Sequence, residues 1–315
     1  MVPNVFNFFG YKVPLYGVMV SLGIIAFVIT TFIILEKIEK LPKKICNRLY
    51  LISGVGLIIL AVSAFIFNSI FHSIEEGKIV IGGITWLGGV VGVFIVMPIL
   101  IHKFIPGSKG NELYYLSLLM PGIIIGHSLG RVGCFFGGCC YGQVTDSIFG
   151  VIYPFGSLAA QKFPGLDGRS LPVLPTQLFE ACFELLLYVF LLINHKRFKK
   201  YNVEIYAIVY SIFRFILEFF RADDRGSTFT IVSPAQFLSI ILIVCGILTI
   251  LTRKNIIFHK LYNKLEQWKN EPQDNLTNEI ANPISLLEEL ARLNKENIIT
   301  DEEFENKKKD ILSRL

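Results

Sequence analysis

Seven apolar blocks, each about as long as a bilayer core is thick, constrain this chain more than any other feature. They run over roughly residues 14 to 35, 48 to 71, 80 to 101, 112 to 129, 174 to 193, 203 to 220 and 231 to 252. About 18 to 20 apolar residues cross the hydrocarbon core as a helix, and only helices or closed barrels satisfy their backbone groups there. With 53% hydrophobic and 17% charged residues among 315, a soluble globular fold is excluded. The expected class is an all-α integral membrane protein of about seven transmembrane helices. The first block follows Lys12 without a basic n-region and small-residue cleavage site, so it reads as a retained span.

Cations set the orientation. Lys37, Lys40, Lys43, Lys44 and Arg48 follow the first block, Lys103 and Lys109 the third, and Lys196, Arg197, Lys199 and Lys200 the fifth. These eleven cations in alternate loops place the N-terminus outside and the C-terminus in the cytoplasm. The net charge of +5 reflects that bias, and no nucleic-acid partner is expected.

Three divisions are expected: a membrane domain over 1–252, a cytoplasmic linker over 253–284, and a helical hairpin over 285–315. Residues 253 to 315 hold eleven Lys/Arg and twelve Asp/Glu. Ser285 to Leu293 has amphipathic spacing, Asn297 to Ile299 reads as a turn, and Thr300 with Glu303 forms a capping box at a second helix start. The stretch from Leu286 to Leu315 resembles the SHOCT domain. That resemblance implies protein contact or self-association through the tail; a solvated, partly ordered tail is the alternative.

Polar residues inside the apolar blocks are the functional candidates, since a charge at membrane depth costs roughly 3 kcal/mol or more. The cassette Gly130-Arg131-Val132-Gly133-Cys134-Phe135-Phe136-Gly137-Gly138-Cys139-Cys140-Tyr141-Gly142 joins an arginine and three thiols to glycines that admit close backbone approach. It opens a segment, Gly130 to Val173, read as a long external loop suited to gating substrate. Arg214, Glu218 and Arg221 lie on one helical face. Two guanidiniums around a carboxylate suit either a phosphate or a structural ion pair. Gln177, Glu180 and Glu184 fall near one face, as cavity lining or as interhelical contacts. Gly88 and Gly92 suit close helix packing, and Tyr16 suits an interfacial anchor.

Together these residues resemble the prolipoprotein diacylglyceryl transferase family over about residues 12 to 252. The glycine-rich signature of that family is similar to Gly130, Arg131, Gly133, Phe135, Gly138 and Gly142. Its Arg-x-x-x-Glu-x-x-Arg is similar to Arg214, Glu218 and Arg221, and its Pro-Ser-Gln-Leu-Tyr-Glu to Pro175 through Glu180. Its first-span Tyr-Gly matches Tyr16-Gly17, and its Ser-x-Gly-Gln-x-Leu-Ser looks like Ser233 through Ser239. The departures fall on polar side chains. Cys134 stands in place of asparagine and Cys139 in place of glutamate. Leu87 stands where a histidine is expected, and Val173-Leu174 replaces Arg-His.

The resemblance implies transfer of the diacylglyceryl group from phosphatidylglycerol to a lipobox cysteine thiol in the signal-peptide region of a preprolipoprotein. It implies a multi-pass plasma-membrane protein in contact with lipid, its active site toward the outer leaflet. The alternatives are a related lipid transferase with another acceptor, or a non-catalytic lipid-binding or redox membrane protein. Arg131, Gly142 and Tyr16 are the expected phosphatidylglycerol-binding residues, and Arg214, Glu218 and His127 the catalytic ones. Arg214 would meet the leaving phosphate and Glu218 would hold it in place. His127 takes the role of base, since an imidazole with a pKa of about 6.5 suits thiol deprotonation. No cofactor and no metal are expected. For Cys134, Cys139 and Cys140 three readings stay open: a metal site with His127, a disulfide or redox pair, and structural thiols.

Overall fold

Where the sequence offers long apolar runs, the computed structural model has helices. It describes residues 4–8, 11–223, 228, 232–253, 283–296 and 300–312, with side chains from residue 13 onward in the N-terminal segment. Six helices among them are long and apolar enough to cross a bilayer, making this an integral membrane protein of mostly helical structure. They are α1 (Leu15–Phe32, continued as a π-helical turn Ile33–Ile38), α2 (Lys43–Glu76), α3 (Trp86–Phe104), α4 (Glu112–Gly137), α6 (Thr176–Ile193) and α10 (Pro234–Arg253). The short helices α5 (Leu158–Lys162), α7 (His195–Phe198), α8 (Asn202–Ile205) and α9 (Ser211–Glu218) lie between them. Outward-facing Leu51, Ile58, Ile95 and Leu186 stay exposed, as lipid-facing side chains do.

The block expected over 203 to 220 is a helix in three consecutive pieces: α8, a π-helical segment Tyr206–Tyr210, and α9. A π-turn inserts a residue and re-aims the side chains beyond it. An antiparallel hairpin, β1 (Asn4–Phe8) with β2 (Tyr11–Pro14), precedes α1; its apolar run is too short to have been separated from a span start.

Glycines set the closest helix contacts. A Cβ on Gly23 of α1 would stand 2.8 Å from the Gly126 carbonyl oxygen of α4, so the two backbones touch. Gly88, Gly89 and Gly92 of α3 face Phe67, Leu60 and Ser63 of α2. That settles the Gly88–Gly92 pair as packing.

The expected loop from Gly130 begins later. Helix α4 continues to Gly137 and ends on Gly138, whose φ of 68° gives the left-handed cap that glycine adopts without strain. Arg131 and Cys134 are therefore helical residues. The segment from 138 to 175 has a small core of its own, in which Tyr141, Tyr153, Ala159 and Val173 are buried together. Short bridges join Val144 and Val151 to Val173.

The chain divides into two compact units, 1–250 and 251–315. In the second, α11 (Pro283–Lys295) packs with α12 (Asp301–Leu312). The Thr300 N–H donates to Glu303 Oε2 at 3.0 Å and the Glu303 N–H to Thr300 Oγ1 at 3.3 Å. This is the expected capping box, and the backbone hydrogen bond from Thr300 lowers the Glu303 pKa. The linker over 254–282 and the turn over 297–299 lie outside the described residues.

Candidate active site

Helices α4, α6 and α9 each supply charge to one buried network. Of the expected face, Arg214 and Glu218 lie on α9, Nη1 2.6 Å from Oε2, while Arg221 follows the helix end and brings its Nε to 3.8 Å from the same oxygen. Glu180 of α6, fully buried, is the hub. Its carboxylate lies 3.0 Å from Arg131 Nε, 3.6 Å from Arg221 Nη1 and 3.8 Å from Arg214 Nε, and it accepts the Tyr210 hydroxyl proton at 2.7 Å. Asp223 accepts two bonds from Arg221 at 2.9 and 3.0 Å, and Ser233 Oγ donates to Glu218 at 2.9 Å.

The arginines form ion pairs, the second of the two readings that their spacing allowed. Arg131, Arg214 and Arg221 are balanced by Glu180, Glu218 and Asp223. A balanced network is what burial demands, because an unpaired buried ion costs several kcal/mol. What it leaves for a ligand is geometric. The Arg131 guanidinium meets His127, Cys140 and Glu180, and that of Arg214 meets Glu180 and Glu218. Both side chains line one narrow cleft, with Thr85, Trp86, Leu87, Pro234 and Ala235. Residues far apart in the sequence thus converge, Arg131 from the cassette and Arg214 from the second motif.

His127 sits one turn before Arg131. The Arg131 Nε–H donates to its Nε2 at 3.1 Å, and its Nδ1 faces Glu184. That assigns the proton to Nδ1. The ring stacks on Trp86 with centroids 3.7 Å apart and meets the Tyr210 edge. Nε2 is engaged by Arg131, Nδ1 faces Glu184 without a hydrogen bond, and the residue is only 5% exposed. His127, Glu180 and Glu184 also present three ligand atoms within 4.8 Å of one another, but the Arg131 guanidinium fills the cation position among them.

Sequence reasoning missed the aromatic wall. Trp86 Nε1 donates to the Tyr206 hydroxyl at 3.1 Å, and the Tyr206 and Tyr210 rings stack 4.7 Å apart. Tyr210 stands four residues before Arg214 and eight before Glu218, so helical spacing carried that signal. The π-turn that re-aims Tyr206 had none.

Two expected lipid contacts are placed differently. Gly142 donates its N–H to the Leu174 carbonyl at 2.8 Å, and a Cβ there would meet Phe220 O at 2.7 Å and Leu174 Cβ at 2.8 Å. Its surroundings are protein, and it bridges to Arg221. Tyr16 is 39% exposed and packs its ring edge near Gly133 and Gly137 of α4, beside the cassette.

The three cassette cysteines are unbridged and half-buried, with Sγ atoms all within 4.8 Å of one another. Arg131 Nη1 approaches Cys140 Sγ at 3.9 Å. Hydrogen bonding to Cys134 and Cys140, then burial, raises the Cys139 pKa. Gln177 Nε2 donates to the Cys139 carbonyl and to the Tyr153 hydroxyl, while burial raises the Tyr153 pKa.

A model of the prolipoprotein diacylglyceryl transferase family matches residues 3–252. This chain belongs to the prolipoprotein diacylglyceryl transferase family. Among relatives, a phosphatidylglycerol–prolipoprotein diacylglyceryl transferase 2 of Clostridium perfringens is 34% identical over 254 residues, 76% of this chain and 91% of that protein. A phosphatidylglycerol–prolipoprotein diacylglyceryl transferase of Clostridium tetani is 30% identical over 78% of this chain and 96% of its own length. One of Campylobacter lari is 28% identical over 80% and 93% respectively. In this diacylglyceryl transferase family member, Leu87, at the position where histidine was expected, lines the cleft itself. Val173 is core of the 138–175 segment, and Leu174 gives its backbone to Gly142 and Gln143.

Proposed function

We propose that the protein transfers the diacylglyceryl group of phosphatidylglycerol to the cysteine thiol of a preprolipoprotein signal-peptide region, forming a thioether and glycerol phosphate. One observation carries this within the family: Arg131 and Arg214 line the same cleft, each anchored by a carboxylate. Fixed guanidiniums in a site poor in water stabilise a departing phosphate without reorganising. Arg131 takes the phosphate headgroup and Arg214 the leaving phosphate. Glu218 and Glu180 hold them in place.

His127 is better suited to positioning than to the base role first expected of it. Its lone pair is spent on Arg131, and withdrawing it would release the guanidinium that the reaction needs. Gly142 acts through the backbone, joining the cassette to Arg221, and Tyr16 borders the lipid side. The cation bias of the loops supports an N-terminus outside, a cytoplasmic C-terminus, a plasma-membrane location and a site toward the outer leaflet. The α11–α12 pair is read as a SHOCT-like contact element for a partner or a second copy.

The test uses full-length protein in phosphatidylglycerol-containing vesicles with a lipobox peptide. A diacylglyceryl-peptide mass and equimolar glycerol phosphate are expected, and both should vanish in Arg131→Ala. Bound lipid with neither product overturns the reading.

A further inference from the structure

We propose that Cys134, Cys139 and Cys140 bind one zinc ion as three thiolates, leaving a fourth position that takes the acceptor thiol. The second half rests on the transfer reading above; the metal site does not.

The geometry is that of a site already gathered. Zinc–thiolate bonds of about 2.3 Å in a tetrahedral arrangement set sulfurs about 3.8 Å apart, and the three Sγ atoms here all lie within 4.8 Å of one another. Small side-chain rotations close that difference. The backbone is bent to produce the convergence. Gly138 and Cys140 both have left-handed φ, 68° and 62°, which turns Cys139 and Cys140 back over the last helical turn, where Cys134 stands. A left-handed non-glycine residue costs roughly 1–2 kcal/mol and persists only when its surroundings impose it. Here α6 imposes it: Thr176 Oγ1 donates to the Cys140 carbonyl at 2.8 Å, and Gln177 Nε2 to the Cys139 carbonyl. Outer hydrogen bonds of this kind orient ligands around metals.

Charge also fits. Zinc with three thiolates carries one net negative charge, and Arg131 Nη1, 3.9 Å from Cys140 Sγ, supplies the counter-charge. The same guanidinium lines the cleft, so a thiol on the metal stands one side chain from the phosphate. The chemistry has a vacancy to fill. Leu87 lines the cleft where a histidine was expected, and the Nε2 lone pair of His127 accepts from Arg131. A zinc-bound thiol is deprotonated outright. The acceptor S–H proton passes to water as the Zn–S bond forms. The bound sulfur then attacks the terminal glycerol carbon of the diacylglyceryl group. The C–S bond forms, the C–O bond breaks with its electron pair on the phosphate oxygen, and glycerol phosphate leaves. Of the three readings left open for these cysteines the proposal takes the metal site, without His127; Cys-x4-Cys-Cys spacing does not show that a left-handed turn folds the three thiols together.

The test uses full-length protein purified under reducing conditions without chelator. One zinc per chain is expected by elemental analysis. Cobalt(II) exchanged for zinc should give a thiolate charge-transfer band, absent from Cys134→Ser/Cys139→Ser/Cys140→Ser. A lipobox peptide should shift that band, and the same peptide with serine for cysteine should not. Chelation should slow transfer about 100-fold, the scale of losing a proton acceptor, with recovery on adding zinc and not magnesium. Chelation serves as the measurement independent of whether the triple variant folds. Active protein without metal, a disulfide among the three cysteines, or a Cys134→Asn/Cys139→Glu variant at full rate would each overturn the site. Metal bound with the cobalt band intact, but no product from phosphatidylglycerol, sinks the transfer reading and the coupling while the site stands.

Discussion

Replacing Glu180 with glutamine keeps the shape of the side chain and removes one negative charge from between three arginines. The carboxylate stands 3.0, 3.6 and 3.8 Å from the guanidiniums of Arg131, Arg221 and Arg214. Each such attraction is worth about 4–6 kcal/mol at an effective dielectric near 20. Most of that sum is offset by the desolvation of the carboxylate, which the amide escapes, so the net loss expected on breaking a buried pair is roughly 3–5 kcal/mol. The remaining network then holds three cations against Glu218 and Asp223. At about 2–4 °C per kcal/mol for a domain of this size, the melting temperature should fall by roughly 10 °C. Intrinsic tryptophan fluorescence during heating of the vesicle-bound protein reads it directly, since Trp86 stacks on His127 within the site. Transfer should drop with it, because Arg131 and Arg214 lose a shared anchor. A variant that melts within about 2 °C of the parent would refute the hub and the balance of charge built on it.

Arg131→Lys supplies a charge without the planar fork that meets Glu180, His127 and a phosphate together. Its transfer rate should fall on the order of 100-fold or more, and initial-rate measurements showing less than a tenfold change would remove Arg131 from the phosphate. Gly142→Ala places a methyl 2.7 Å from Phe220 O and 2.8 Å from Leu174 Cβ. It should cost about 1–3 kcal/mol, seen as a lower melting temperature at unchanged affinity for phosphatidylglycerol. At the other end of the bundle, burial of Glu39 opposes its charge, but hydrogen bonds from Lys199, His195 and Tyr114 outweigh it and lower the pKa. A depressed carboxylate contributes stability above its unfolded pKa of about 4.3, lost as pH falls through the lower folded value. Melting curves should therefore decline below about pH 4.3, and less steeply in Glu39→Gln.

The spans were legible because length and apolarity alone decide them, and the α9 face because Arg214, Glu218 and Arg221 repeat at helical spacing. Arg131 and Arg214 were both named before their meeting in one cleft was visible. What stayed hidden depends on contact between elements far apart in sequence. Glu180 carries no local sign that it touches three arginines, from α4, α9 and the segment after α9. Besides Glu218, the acidic partners that neutralise the site lie on α6 and beyond α9, outside the Arg214–Arg221 motif. The loop boundary moved from Gly130 to Gly138 because glycine inside a membrane helix marks close packing as often as an end, and Gly133 packs on Tyr16 and Met19 of α1.

The seam between α1 and α4 has a mechanical consequence. Gly23 against Gly126, Gly122 against Phe27 and Thr31, and Gly133 against Tyr16 and Met19 seat α4 glycines directly on α1, leaving little room to slip. Sliding either helix by one residue would drive a side chain into the other's backbone. Tyr16, Arg131 and the thiol-bearing end of α4 therefore travel as one rigid strut. A lipid with two acyl chains must come and go through a breach elsewhere in the bundle wall, and cross-linking α1 to α4 should leave turnover untouched.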